Sequence, residues 1–257
     1  MRIKSLKLIS LFVIATLSCL LCTITFGQEK ETALNEKRDA ERAWEALVRT
    51  KGGREKLHSL TNMLREFAGS VRLDIFPNRQ WEFNRNIVDL SPMVSIADGV
   101  KSVQVYTRTF GENGVSHDDL TDWFPLETLP FLLETKWNKP ELLRVREIKE
   151  GKQKLDLIET IIGNERVNFI FEPEELLVSK VEFYYKGKLN TTYTFWNYTT
   201  IDGIKMPQSW GLGTVLDNFN DKKKLSQIRF AFNVKYDPQL FERPLIATTP
   251  DAWKPKP

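Results

Sequence analysis

Few side chains in this sequence could make or break bonds. It contains two histidines, His58 and His117, and two cysteines, Cys19 and Cys22. His117-Asp118-Asp119 is the one cluster that joins an imidazole to carboxylates. Those residue types suit a general base or a metal site. However, adjacent residues seldom converge on one reacting atom, and no second histidine stands at helical ligand spacing. His58 lies near Leu57 and Leu60 and reads as a surface or internally satisfied residue. A Gly-x-Ser-x-Gly nucleophile elbow is absent. The expectation is a binding protein and not an enzyme, with no catalytic residue, no metal and no cofactor. A hydrolase built on His58 or His117 is the less favoured alternative.

Both cysteines fall inside an N-terminal apolar run. Arg2, Lys4 and Lys7 precede an uncharged stretch from Leu8 to Phe26, and Thr25-Phe26-Gly27 places small residues before Gln28. That layout predicts a secretory signal peptide over 1–27, and so an exported, periplasmic protein. An uncleaved anchor through 8–26 is the main competitor, because the run is nearly long enough to span a bilayer. Lipidation at Cys19 is a further option, although the leucine usual three residues earlier is missing. Cleavage after Gly27 would leave no thiol, and hence no cysteine nucleophile, thiolate metal site or disulfide.

Of 257 residues, 41% are hydrophobic and 28% charged, enough for one sizeable core. The formal charge of +3 resides in the leader. Removing 1–27 takes away three basic residues and no acidic ones, which balances the chain. A neutral mature protein argues against a nucleic-acid partner, and Lys222-Lys223-Lys224 reads as a solvated turn.

The elements that must position any site are mostly strands. Residues 28–38 read as a polar leader, loose or a frayed helical turn, with Asp39 as the cap of a helix. Ala40, Ala43, Trp44, Leu47 and Val48 then form one apolar stripe, and Gly52-Gly53 ends the helix. Alternation over Val71–Ile75, Trp81–Ile87, Val103–Val105, Leu143–Val145, Leu155–Thr160, Val167–Phe171 and Ile228–Tyr236 predicts strands. The clearest stretch is Leu176 to Trp210, a three-strand meander. In it Leu177, Ser179, Val181, Phe183 and Tyr185 share a face, and Asp202-Gly203 supplies a two-residue hairpin turn. Asp118 to Trp137 is different. Its apolar residues cluster without alternation, as a core helix or as an apolar plug inside a curved sheet. About ten strands with helices only at the start and middle predict an α+β, mostly β fold. A sheet this wide must curl, and a curled sheet with helices on its concave side encloses a pocket.

Three pieces of this pattern resemble the LolA/LolB-like superfamily of periplasmic lipoprotein carriers, especially its lipoprotein-sorting members. They are AWEALVRTKGGREKLHSL, VEFYYKGKLNTTYTFWNYTTIDGIKMPQSW and FNVKYDPQLFERP, within Ala43 to Pro244. The resemblance implies an incomplete β-barrel of antiparallel strands closed by a few helices over 39–246, followed by a Pro/Lys tail at 247–257. It also implies an apolar cavity for acyl chains. The expected ligand is a lipid or an acylated lipoprotein, held as a carrier or a lipid sensor. Trp44, Leu47, Trp123, Phe124, Leu129, Phe131 and Leu132 are the candidate lining. A scaffold or envelope-stress sensor with an envelope protein as partner is the alternative.

Overall fold

The computed structural model of the protein describes residues 34–67, 69–85, 92–97, 101–106, 114–119, 123–213 and 226–241. The expected signal segment, the Lys222–Lys224 turn and the Pro/Lys tail lie outside the described residues.

Three helices are described. The first, α1, covers 34–51; α2 is Arg54–Ser59 and α3 is Trp123–Leu132. Residues 34–38 of the polar leader are therefore helical, the second of its two readings. Asp39 sits inside α1 and not at its cap, where it pairs with Arg42 one turn on. The apolar stripe behaves as its spacing predicts: Ala40, Trp44, Leu47 and Val48 are buried. The glycine pair ends the helix. Gly53 N donates to Val48 O at 2.9 Å, and both glycines take a positive φ.

Thirteen strands are described: β1 Asn62–Phe67, β2 Ser70–Ile75, β3 Arg79–Arg85, β4 Pro92–Ala97, β5 Lys101–Tyr106, β6 Gly114–Asp119, β7 Glu141–Glu150, β8 Gln153–Ile162, β9 Glu165–Glu172, β10 Leu177–Tyr185, β11 Lys188–Ile201, β12 Ile204–Gly213 and β13 Ser226–Phe232. They form one antiparallel sheet in the order β6-β5-β4-β3-β2-β1-β13-β12-β11-β10-β9-β8-β7. Two meanders, β1–β6 and β7–β12, are thus joined through β13. That strand pairs fully with β1, from Met63↔Phe232 to Phe67↔Ile228. It meets β12 at only Ser209↔Gln227 and Trp210↔Ser226. The outermost strands are β6 and β7, and α3 is the segment that connects them in the chain. The result is an incomplete barrel with helices across its open side.

Turn chemistry fixes the register of the second meander. Lys186-Gly187 and Asp202-Gly203 both hold positive φ at both positions, which is what a two-residue hairpin requires. The predicted face of β10 is only partly right. Register shifts at Val178/Lys180 and Phe183/Tyr184 change which side chains point inward. Val178, Val181 and Phe183 are buried, whereas Tyr185 is exposed. An extra residue in one strand turns every later side chain to the opposite face.

The main core lies between α1, α3 and the inner face of β7–β13. A second core lies on the other face of β1–β4. Leu64, Val71, Leu73, Trp81, Phe83, Val94 and Ile96 pack there against Tyr236, Leu240 and Phe241. The alternation predicted for β2 and β3 is therefore correct, but its apolar row faces this outer core. The polar row faces the interior.

Candidate ligand site beneath the third helix

Phe131 is the centre of the interior. Its ring lies 5.3 Å from Phe195, 5.5 Å from Phe230, 5.9 Å from Tyr193 and 6.1 Å from Trp210. These partners come from β11, β12 and β13, where alternation sends every second aromatic side chain inward. Leu129 and Leu132 flank Phe131 and are equally buried. On the far side, Trp44 meets Phe169 edge-on at 5.1 Å. Such edge-on pairs add about 0.5–1.5 kcal/mol beyond the area they bury. Of the candidate lining residues, the structure brings Trp44, Leu47, Leu129, Phe131 and Leu132 into this one core. Trp123 and Phe124 lie in α3, but their side chains are outside the description.

The wall opposite the aromatics is polar. Asp74 is fully buried between two guanidinium groups. Arg65 Nε donates to its Oδ2 and Arg72 Nε to its Oδ1, each at 2.9 Å. Arg72 also donates to Gln80 at 2.7 Å and to Glu127 at 2.8 Å. The Arg65 guanidinium lies over the Phe131 ring at 4.9 Å. Glu82 stands 3.7 Å from Arg72. Burial pushes the Glu82 carboxyl above the ordinary carboxylate range, against the opposing pull of Arg72. An isolated buried charge would be costly, but a hydrogen-bonded network of both signs is sustainable.

Two carboxylates hold the apolar segment of α3 in place. Glu127, midway along the helix, is the one that Arg72 reaches from β2. Glu134, just beyond the helix end, is fully buried and takes three partners. Trp44 Nε1 donates to its Oε2 at 2.9 Å, Arg54 Nε to its Oε1 at 2.5 Å, and His58 Nε2 lies 3.0 Å from Oε1. Arg54 also binds Glu45 on α1 at 2.7 Å. Burial alone would raise the Glu134 carboxyl. Hydrogen bonds from Arg54 and Trp44 outweigh it and hold the group below the ordinary range. Between these two clamps lies a run of buried, mostly apolar side chains, Thr128 to Leu133.

Sequence reasoning missed both clamps. Alternation over Val71–Ile75 marks Arg72 and Asp74 only as the polar row of a strand and does not say which side of the sheet that row faces. The one available signal for Glu134 was a lone carboxylate directly after the apolar run LPFLL. His58 is accounted for as a Glu134 partner. His117 and Asp118 lie on β6 opposite Val103 and Ser102, with side chains outside the description. Among the described residues, no group of three or more His, Cys, Asp or Glu side chains could hold a metal ion. Trp210 Nε1 is buried with no protein partner among the described residues, so the aromatic wall retains one free donor.

No known protein family matches the sequence, and no curated protein does. Solved structures are similar to it at the level of fold. One is a DUF1329 family protein from Desulfovibrio piger, 12% identical, with a TM-score of 0.38 over 79% of this chain and 97% of the other. Another is a LolA superfamily protein from Nitrosomonas europaea, 11% identical, with a TM-score of 0.45 over 77% of this chain and 96% of the other. The second belongs to the superfamily that the sequence resembles.

Proposed function

We propose that this is an exported binding protein of the bacterial envelope that takes up an acyl chain of a lipid or lipoprotein beneath α3. The observation that carries the reading is the construction of α3. Its apolar segment is seated against a wall of Tyr193, Phe195, Trp210 and Phe230, and carboxylates on either side of that segment, Glu127 at mid-helix and Glu134 beyond the helix end, are tethered to arginines. The ion pairs of Glu127 and Glu134 define the one register to which a displaced segment returns, because ion pairs are directional and apolar contacts are not.

On this reading α3 is a plug that an acyl chain displaces. The chain would replace the contacts of Leu129, Phe131 and Leu132. Sequestering it from water is worth about 0.8 kcal/mol per CH₂. The activity is burial and release, without bond chemistry.

Uptake of a palmitoylated peptide, followed through tryptophan fluorescence, tests this. The wild-type protein should bind it saturably. The Leu129→Glu/Leu132→Glu variant, if circular dichroism shows it folded, should not. A wild-type protein with no saturable uptake would refute the reading.

A further inference from the structure

Lys51 is the last residue of α1, and it is buried at 7% exposure. It has no ion-pair or hydrogen-bond partner among the described residues. Its Nζ lies over the ring of Tyr198, 5.6 Å from the centroid. Most buried lysines are paired, because the ammonium loses its hydration on burial. Here burial lowers the amine from 10.5 to about 7, with no opposing carboxylate.

A small pocket of about 10 Å³ adjoins this amine, lined by Leu47, Lys51, Pro130, Leu133, Leu176–Val178 and Tyr198. It is roughly large enough for one water. Two of its walls belong to the plug, Pro130 inside α3 and Leu133 at its end. Leu133 and Leu176 both hold positive φ, an uncommon conformation for leucine. The pocket shares Leu177, Val178 and Tyr198 with an outer cleft of about 300 Å³. The titratable groups around it are few. The Tyr198 hydroxyl is committed to Val178 O at 2.6 Å. Glu172 and Glu175 line the outer cleft and not the pocket. Lys56 of α2 lies against Gly203, at the hairpin tip.

We infer that Lys51 is the seat for the carboxylate of a long-chain fatty acid whose tail takes the place of the α3 plug. The inference rests on the acyl-binding reading and adds the head group to it. An apolar pocket with a single ammonium matches one single negative charge. A phosphate carries more charge and more acceptor oxygens, and sites for it gather arginines or several backbone N–H groups. The lining offers neither. A carboxylate at Lys51 restores the charge that burial suppresses, so binding draws in a proton.

The test compares palmitate, hexadecanol and hexadecyl phosphate on delipidated full-length protein by calorimetry, with Lys51→Met as the variant. Methionine is unbranched, keeps most of the length and removes the charge. Wild type should bind palmitate at least roughly tenfold more tightly than hexadecanol, and than hexadecyl phosphate. Palmitate affinity should fall as pH rises above about 7, as the free amine loses its proton. In the Lys51→Met protein the preference and the pH dependence should vanish while hexadecanol binding persists. Equal binding of palmitate and hexadecanol by wild type would overturn the Lys51 assignment and leave acyl binding standing. Tighter binding of hexadecyl phosphate would overturn the carboxylate. Binding of none of the three would overturn both readings.

Discussion

The indole N–H of Trp44 donates to the carboxylate of Glu134 across 2.9 Å, both side chains being fully buried. This bond ties the middle of α1 to the second residue beyond α3, with Arg54 of α2 closing the same carboxylate from the other side. The three helices therefore meet at one atom pair.

Removing that carboxylate should loosen all three. Glu134→Ala leaves the Trp44 donor unpaired and the Arg54 guanidinium with only Glu45. A loss of about 2–3 kcal/mol in unfolding free energy is expected. Glu134→Gln keeps an acceptor for Trp44 and should lose less. Urea denaturation of the two variants checks the order.

The same group sets an acid limit. Its folded pKa lies below the ordinary 4.5. Its stabilisation is therefore complete above that value and is lost as pH falls through the folded one. Thermal unfolding between neutral and strongly acidic pH should show wild type losing its advantage over Glu134→Gln below about 4.5.

Gly52 and Gly203 touch backbone to backbone, which docks the β11–β12 hairpin on the junction of α1 and α2. A Cβ at Gly52 would lie 2.6 Å from Gly203 O, with φ at 143°. A Cβ at Gly203 would meet only the far end of the flexible Lys56 side chain. Gly52→Ala should thus cost more than Gly203→Ala, by about 1 kcal/mol or more. Paired denaturation curves decide it.

Lys51 opposes folding while it is charged. Its folded value of about 7 lies below the unfolded 10.5, so stability rises with pH between them. The slope is about 1.4 kcal/mol per pH unit at most. Lys51→Met should be more stable than wild type near neutral pH, and the gap should close as pH increases. A constant gap would mean that the amine is not desolvated.

Much of this architecture was legible in the sequence because its signals are local. The stripe from Ala40 to Val48, the Gly52-Gly53 stop and the Asp202-Gly203 turn each depend on a few adjacent residues. The three pieces that carry the superfamily resemblance include Gly52 and Gly203, which the fold brings into contact. What escaped detection depends on partners distant in the chain. Strand β1 has the sequence NMLREF, and it reads as a strand only once β13 and β2 flank it. Arg72 and Asp74 read only as the polar row of a strand until Glu127 is placed above them. The bulges of β10 move Tyr185 outward without any glycine or proline to announce them. The candidate lining was legible as an apolar cluster. Its clamps were not, because Glu134 finds Trp44 and Arg54 some 80 to 90 positions away.

The most direct measurement of the central claim is the native mass of the protein isolated from the cells that express it, with organic extraction of whatever travels with it. The account predicts one acyl-bearing molecule per chain, exchangeable for added palmitate or palmitoylated peptide. A clean unliganded mass that stays unchanged after both additions would contradict it.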